Sequence, residues 1–177
     1  MQASQPNKYA ALLRILHWAF IPFIIGSIVS GKVMTNVGFE DPLSYYLPQY
    51  HYLSGLILFS LLVARIATKI TTQTPSYHQS ISLLNIRLAK SVQILMLLCI
   101  SVVLVSGYLL ATADGNPAKL PWGTWLIQIS PNDAFTLEQM LTVHVSAIMT
   151  FFGLLFLHAA GFIKHQFNDR TFIKRIL

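Results

Sequence analysis

The sequence predicts an all-α fold, a four-helix transmembrane bundle with both termini cytoplasmic. Three observations carry this. Only 10% of the 177 residues are charged and 54% are apolar, with a mean hydropathy of +0.59, whereas a soluble domain carries about a quarter charged residues. Four stretches contain no Lys, Arg, Asp or Glu: 15–31, 42–64, 91–113 and 139–163, of 17, 23, 23 and 25 residues. About 20 apolar residues are needed to span a hydrocarbon core. Lastly, the basic residues fall almost entirely on one side of the four segments.

Taken in order, the first helix is expected over about 10–32; its charge-free run is the shortest and holds Pro22, but residues 10–14 extend it by a turn. The second is expected over 50–70, the third over 88–112 and the fourth over 138–165. Lys8, Arg14, Arg65, Lys69, Arg87, Lys90, Lys164, Arg170, Lys174 and Arg175 lie on the side that holds both termini, and only Lys32 and Lys119 lie on the other. Ten against two puts the termini in the cytoplasm by the positive-inside rule. The acidic residues run the other way, with Glu40, Asp41, Asp114, Asp133 and Glu138 outside and Asp169 inside.

The chain reads as one multi-pass membrane domain over 1–177, with lipid as its surroundings and no soluble enzyme module. The net charge of +6 is then a topology signal. It lacks the clustering of a basic nucleic-acid face, so no nucleic acid is expected as partner. The polar start, MQASQPNKYAALLR, has no small-residue cleavage site after the first apolar run, so no removed signal peptide is expected. Cys99 is the only cysteine; it excludes an intrachain disulfide, and without C-x-x-C-H there is no covalent haem attachment. No internal repeat or low-complexity segment stands out. PWGTW, in the connection before helix 4, supplies Trp122 and Trp125 to an interfacial aromatic belt.

The histidines carry the chemistry. His144 and His158 are fourteen residues apart in helix 4, close to four whole turns, so their imidazoles share a face about 21 Å apart along the axis. With the orientation fixed, His51 lies at the outer level with His144, and His17 at the inner level with His158. Paired imidazoles with no thiolate or carboxylate beside them suit bis-histidine haem, and bundle cores are where such sites are built. Any one of these histidines alone reads as an interfacial polar residue; four falling two by two at matched depths do not. Zinc wants four close ligands, and a proton relay wants intramembrane Asp or Glu; neither is present.

Arg65 lies fourteen residues after His51, on nearly the same face at the inner level. It is a candidate cation for a haem propionate and equally a marker of the cytoplasmic helix end. Gly55 and Gly161 are places where a flat macrocycle approaches backbone, or ordinary helix-packing positions. His165 sits at the membrane edge, His78 in a polar loop, and Cys99 and the methionines of helices 3 and 4 read as apolar packing. Helix 3 offers no axial ligand.

Three segments, KYAALLRILHWAF, HYLSGLILFSLLVARIATK and HVSAIMTFFGLLFLHAAGFIKHQFNDRTFIKRIL, together with the fourteen-residue histidine pair and the N-D-x-T tail, resemble the bacterial cytochrome b-561 family, which includes superoxide oxidase. The resemblance covers nearly the whole length. It implies four helices holding two haem b groups between helices 1, 2 and 4, with His17, His51, His144 and His158 as axial ligands and ubiquinone as electron partner. In the superoxide oxidase branch it implies oxidation of superoxide at the periplasmic face. One departure is Lys164 before His165, where the family often has two adjacent histidines. The eukaryotic six-helix proteins of similar name match less well.

Two functions follow as expectations. The first is a superoxide:ubiquinone oxidoreductase. The alternative is a non-catalytic cytochrome b subunit serving a redox partner protein, a dehydrogenase or hydrogenase. Lys32 and Lys119 are the only outer cations; they read as anion guides or as scattered surface lysines. Trp18 inside, and Trp122 and Tyr50 outside, are unranked candidates for the quinone edge.

Overall fold

The computed structural model describes residues 6–75, 81–113, 118–131, 133–168 and 172–177. Four long helices account for most of them: α1 (Ala11–Met34), α2 (Leu43–Thr71), α3 (Leu83–Ala113) and α4 (Ala134–Asn168), followed by a 3-10 turn, Phe172–Arg175. All four are long and apolar enough to cross a membrane. In lipid the backbone must satisfy its own polar groups, which leaves the helix as the economical form for such segments. Hydroxyls inside the helices follow the same rule. Ser60 donates to the Leu56 carbonyl (3.0 Å), Ser101 to Leu97 (2.8 Å) and Thr150 to Ser146 (2.9 Å), each four residues back.

The helices run beyond the charge-free stretches at several ends. α2 begins at Leu43, not at 50, because Asp41 Oδ1 accepts the Leu43 N–H (2.9 Å) and starts the helix early. Pro48 then falls near its start, and α1 likewise runs on through Pro22. α4 starts at Ala134, where the Asp133 carboxylate accepts from the Thr136 N–H and hydroxyl (both 2.8 Å), a side-chain cap of the first turn. Those bonds hold the Asp133 carboxyl below its ordinary range. With 35 residues, α4 is about 52 Å long and exceeds the hydrocarbon thickness, so it tilts or projects.

Packing is sequential. α1 lies against α2, α2 against α3 and α3 against α4, whereas among the described residues no Cα of α4 comes within 8 Å of α1 or α2. A slot therefore separates α4 from the α1–α2 hairpin. Its middle is closed by a buried cluster drawn from all four helices: Phe20, Leu58, Leu62, Ile100 and Phe151. Phe59, Leu98, Met149 and Phe156 remain exposed on the outer surface, as an apolar solvent requires.

The two ends differ in their closure. At the terminal end the 3-10 turn folds back over the start of α1. The Tyr9 N–H donates to the Arg175 carbonyl (3.2 Å), Trp18 Nε1 to the Ile176 carbonyl (2.9 Å), and Arg14 to the main-chain oxygen of Leu177. Arg175 also donates to the Pro75 carbonyl (2.8 Å), tying in the α2–α3 connection. At the far end, the segment before α4 makes a small hairpin with one Lys119–Trp125 bridge and a turn through Gly123, whose φ of +88° favours glycine. Tyr108 and the Thr112–Ser130 hydroxyl pair bind that segment to α3.

Candidate functional site

The slot holds both histidine pairs. Phe151, buried in the central cluster, is seven residues from His144 and seven from His158, so all three share one face of α4 near the same angular position. Leu58 stands in the same relation to His51 and Arg65 on α2. The central apolar layer thus divides the slot into two compartments. His51 and His144 face each other in the far-end compartment with ring centroids 6.5 Å apart and planes at 82°. His17 and His158 face each other in the terminal-end compartment at 6.4 Å and 61°. The structure brings the four histidines together two by two, in the pairs expected from their depth.

The spacing can be tested against a cofactor. An iron bound by two imidazoles, at about 2 Å per bond and roughly 1.1 Å more from nitrogen to ring centre, separates the centroids by about 6.2 Å. Both compartments meet this. The donor sets agree as well: each level presents two neutral nitrogen ligands. Among the described residues no three His, Cys, Asp or Glu side chains gather. Such a pair suits a metal that brings its own equatorial ligands, and the residues present fit haem b.

The far-end imidazoles sit in built seats. His51 Nδ1 is 3.1 Å from Ser30 Oγ on α1. His144 Nδ1 is 2.9 Å from the Val103 carbonyl and 3.3 Å from Ser106 Oγ on α3. Bonds at Nδ1 fix the ring and leave Nε2 free to bind a metal. Each ring also lies against a glycine. A Cβ on Gly107 would stand 2.8 Å from His144 Cε1, and one on Gly31 would stand 3.1 Å from His51 Cε1. These four residues, Ser30–Gly31 and Ser106–Gly107, were not singled out from the sequence. The available signal was the tripeptide Val-Ser-Gly, present at 29–31 and again at 105–107. Helix 3 supplies no ligand, but it is not mere packing: it aims His144.

The terminal-end pair is held differently. Among the described residues no hydrogen bond to His17 or His158 is found. His17 packs edge-on against Trp18 (5.6 Å). Arg65, half-buried, donates to the Leu13 carbonyl (3.2 Å), one turn before His17. Arg14, one turn before His17, keeps Nε buried without a partner. Two guanidiniums at this level suit the carboxylates of a haem.

The remaining candidates fall as follows. A Cβ on Gly55 or Gly161 would meet nothing within 4 Å, so neither glycine marks a tight helix contact. Lys119 lies over the Trp125 ring at 4.4 Å, a cation–π contact, while Lys32 is exposed. Cys99 donates its thiol to the Ala147 carbonyl (3.1 Å). Trp18 is committed to Ile176, and Tyr50 and Trp122 are exposed at the far end. His78, Asp114 and much of the N-D-x-T tail lie outside the described residues.

Comparison with known proteins agrees with this geometry. Residues 8–177 match the family described as prokaryotic cytochrome b561. The chain is also similar to cytochrome b561 homolog 2 of Escherichia coli (strain K12), 24% identical over 174 residues, which is 97% of this chain and 92% of that protein.

Proposed function

The chain belongs to the prokaryotic cytochrome b561 family, and from that premise we propose a dihaem b-type cytochrome that passes electrons from superoxide at the periplasmic face to ubiquinone. As a member of the family it is a membrane electron-transfer protein, multi-pass in the bacterial inner membrane. The observation that carries the finer reading is the pair of compartments in one slot, each with two imidazoles at the separation a bis-histidine iron needs. Haem b, when bound, supplies the one-electron chemistry.

The protein's own residues do the rest. His51 with His144, and His17 with His158, would hold the two haem irons through their imidazole nitrogens. Arg65 and Arg14 are placed to neutralise carboxylates at the terminal end. Phe20 and Phe151 close the slot between the levels and keep water from crossing it. The basic terminal side is assigned to the cytoplasm, which makes the far-end compartment periplasmic. There, exposed Lys32 is the better placed of the two lysines to attract an anion, because it follows Gly31, which lies against the His51 ring. Each superoxide gives up one electron and leaves as O2; ubiquinone takes two electrons and two protons.

Stopped-flow decay of superoxide by the purified protein, with and without ubiquinone, tests this. Decay that is catalytic only with quinone present, and that yields ubiquinol, is the expected result. Haem-loaded protein that leaves the decay at its spontaneous rate would overturn it and leave the role of an electron-transfer subunit for a partner dehydrogenase or hydrogenase.

A further inference from the structure

The two Val-Ser-Gly tripeptides occupy matching places, one in each helical hairpin. Ser30 donates its hydroxyl proton to the Gly26 carbonyl (2.8 Å), and Ser106 donates to the Val102 carbonyl (2.6 Å), each four residues back. With that proton committed, each Oγ offers lone pairs to the imidazole across the hairpin: His51 at 3.1 Å and His144 at 3.3 Å. The Val103 carbonyl, which can only accept, lies 2.9 Å from His144 Nδ1. Both far-end rings therefore carry their proton on Nδ1 and donate it. The terminal-end rings have no such acceptor among the described residues, and Arg65, bonded to the Leu13 carbonyl one turn before His17, places a positive charge at their level.

These differences act on bound iron in opposite directions. An imidazole that donates from Nδ1 gains anionic character and becomes a stronger ligand, which favours the ferric state. A nearby cation favours the ferrous state, which carries one more negative charge. We propose that Ser30 and Ser106, with the Val103 carbonyl, are positioning residues that hold the far-end haem at a lower reduction potential than the terminal-end haem. Arg65 holds the terminal-end haem higher. With haem in both compartments, this order of potentials would make transfer of one electron from the far-end group to the terminal-end group downhill, the first being oxidised by one electron and the second reduced by one. The fold sets a direction along the slot, on the reading that both compartments hold haem.

A redox titration of the haem-loaded, full-length protein, followed by the haem absorbance bands, decides this. Wild type should show two one-electron steps. The Ser30→Ala, Ser106→Ala double variant should move only the lower midpoint, upward, by about tenfold in that haem's reduction equilibrium, or 59 mV for a one-electron couple. Ser30→Thr keeps a hydroxyl and should keep the wild-type midpoint. Arg65→Gln should move only the higher midpoint, downward. Ser106→Ala alone keeps the Ser30 acceptor at His51, so it serves where the double variant loses haem; it should raise the lower midpoint by a smaller step. A lower midpoint that stays put, or a higher one that moves with the serines, overturns the proposal while the dihaem reading stands. A pyridine haemochrome count below two haems per chain would overturn both.

Discussion

The two compartments of the slot contain the same pair of imidazoles and are built by different means. At the far end, each imidazole is gripped by the preceding helix of its own hairpin, with a serine or carbonyl at Nδ1 and a glycine under Cε1. At the terminal end, the imidazoles are flanked by cations and by a chain segment folded over α1. The first arrangement fixes a ring by hydrogen bonds and close contact from the neighbouring helix. The second sets charge. A pair of histidines at the right distance thus says where a cofactor fits, and the neighbours of each pair say how it is tuned.

The sharpest way to break this comparison is to remove ligands. His51→Ala and His144→Ala should each abolish one and the same haem, and His17→Ala and His158→Ala the other, leaving about half the wild-type haem in every case. Pyridine haemochrome content and the residual spectrum read this out. If the His51 and His144 variants lose spectrally different haems, the pairing is wrong.

The seats are tested next. Gly107→Ala drives a methyl to 2.8 Å from His144 Cε1, and overpacking of this kind costs about 1–3 kcal/mol. Far-end haem occupancy and the thermal midpoint should both fall. Gly31→Ala, with 3.1 Å to His51, should do the same more weakly, and Gly55→Ala, which meets nothing within 4 Å, should leave haem content unchanged. Equal losses from all three would mean the serine–glycine seats have no special role.

Surface charge should matter less. Removing both outer lysines in a Lys32→Gln, Lys119→Gln variant should lower the bimolecular rate with superoxide and flatten its dependence on ionic strength, since steering is a screened effect. Haem content should not change. Most of the effect should reproduce in Lys32→Gln alone, because Lys32 follows Gly31 at the His51 ring; rates at two salt concentrations check it.

The smallest expected effect is at the start of α4. Asp133 accepts from the Thr136 N–H and hydroxyl, which depresses its folded-state pKa. A depressed carboxylate contributes stability that is present above its unfolded pKa and is lost as pH falls through the folded value. Thermal melts at neutral pH and at pH values below the ordinary Asp range should show Asp133→Asn losing less stability on acidification than wild type. An identical loss in both would mean that the cap does not set the acid limit.

The sequence by itself determined the helices, because burying charge in hydrocarbon is costly and four charge-free runs leave little choice. It also determined the depth of each histidine, since the helical period converts fourteen residues into a shared face and a fixed rise. His51 facing His144, and His17 facing His158, follow from depth together with the folding of α4 opposite the α1–α2 hairpin. Where the helices end was less legible: the caps of α2 and α4 rest on Asp41 and Asp133, short-range bonds that hydropathy does not register. Only the tertiary structure decided that α4 stands clear of α1 and α2, that Phe20 and Phe151 close the slot between the pairs, and that Ser30 and Ser106 meet the rings of His51 and His144. Ser30 and His51 are separated by 21 residues and Ser106 and His144 by 38. No local period links such positions; the angle at which two helices pack places them in contact.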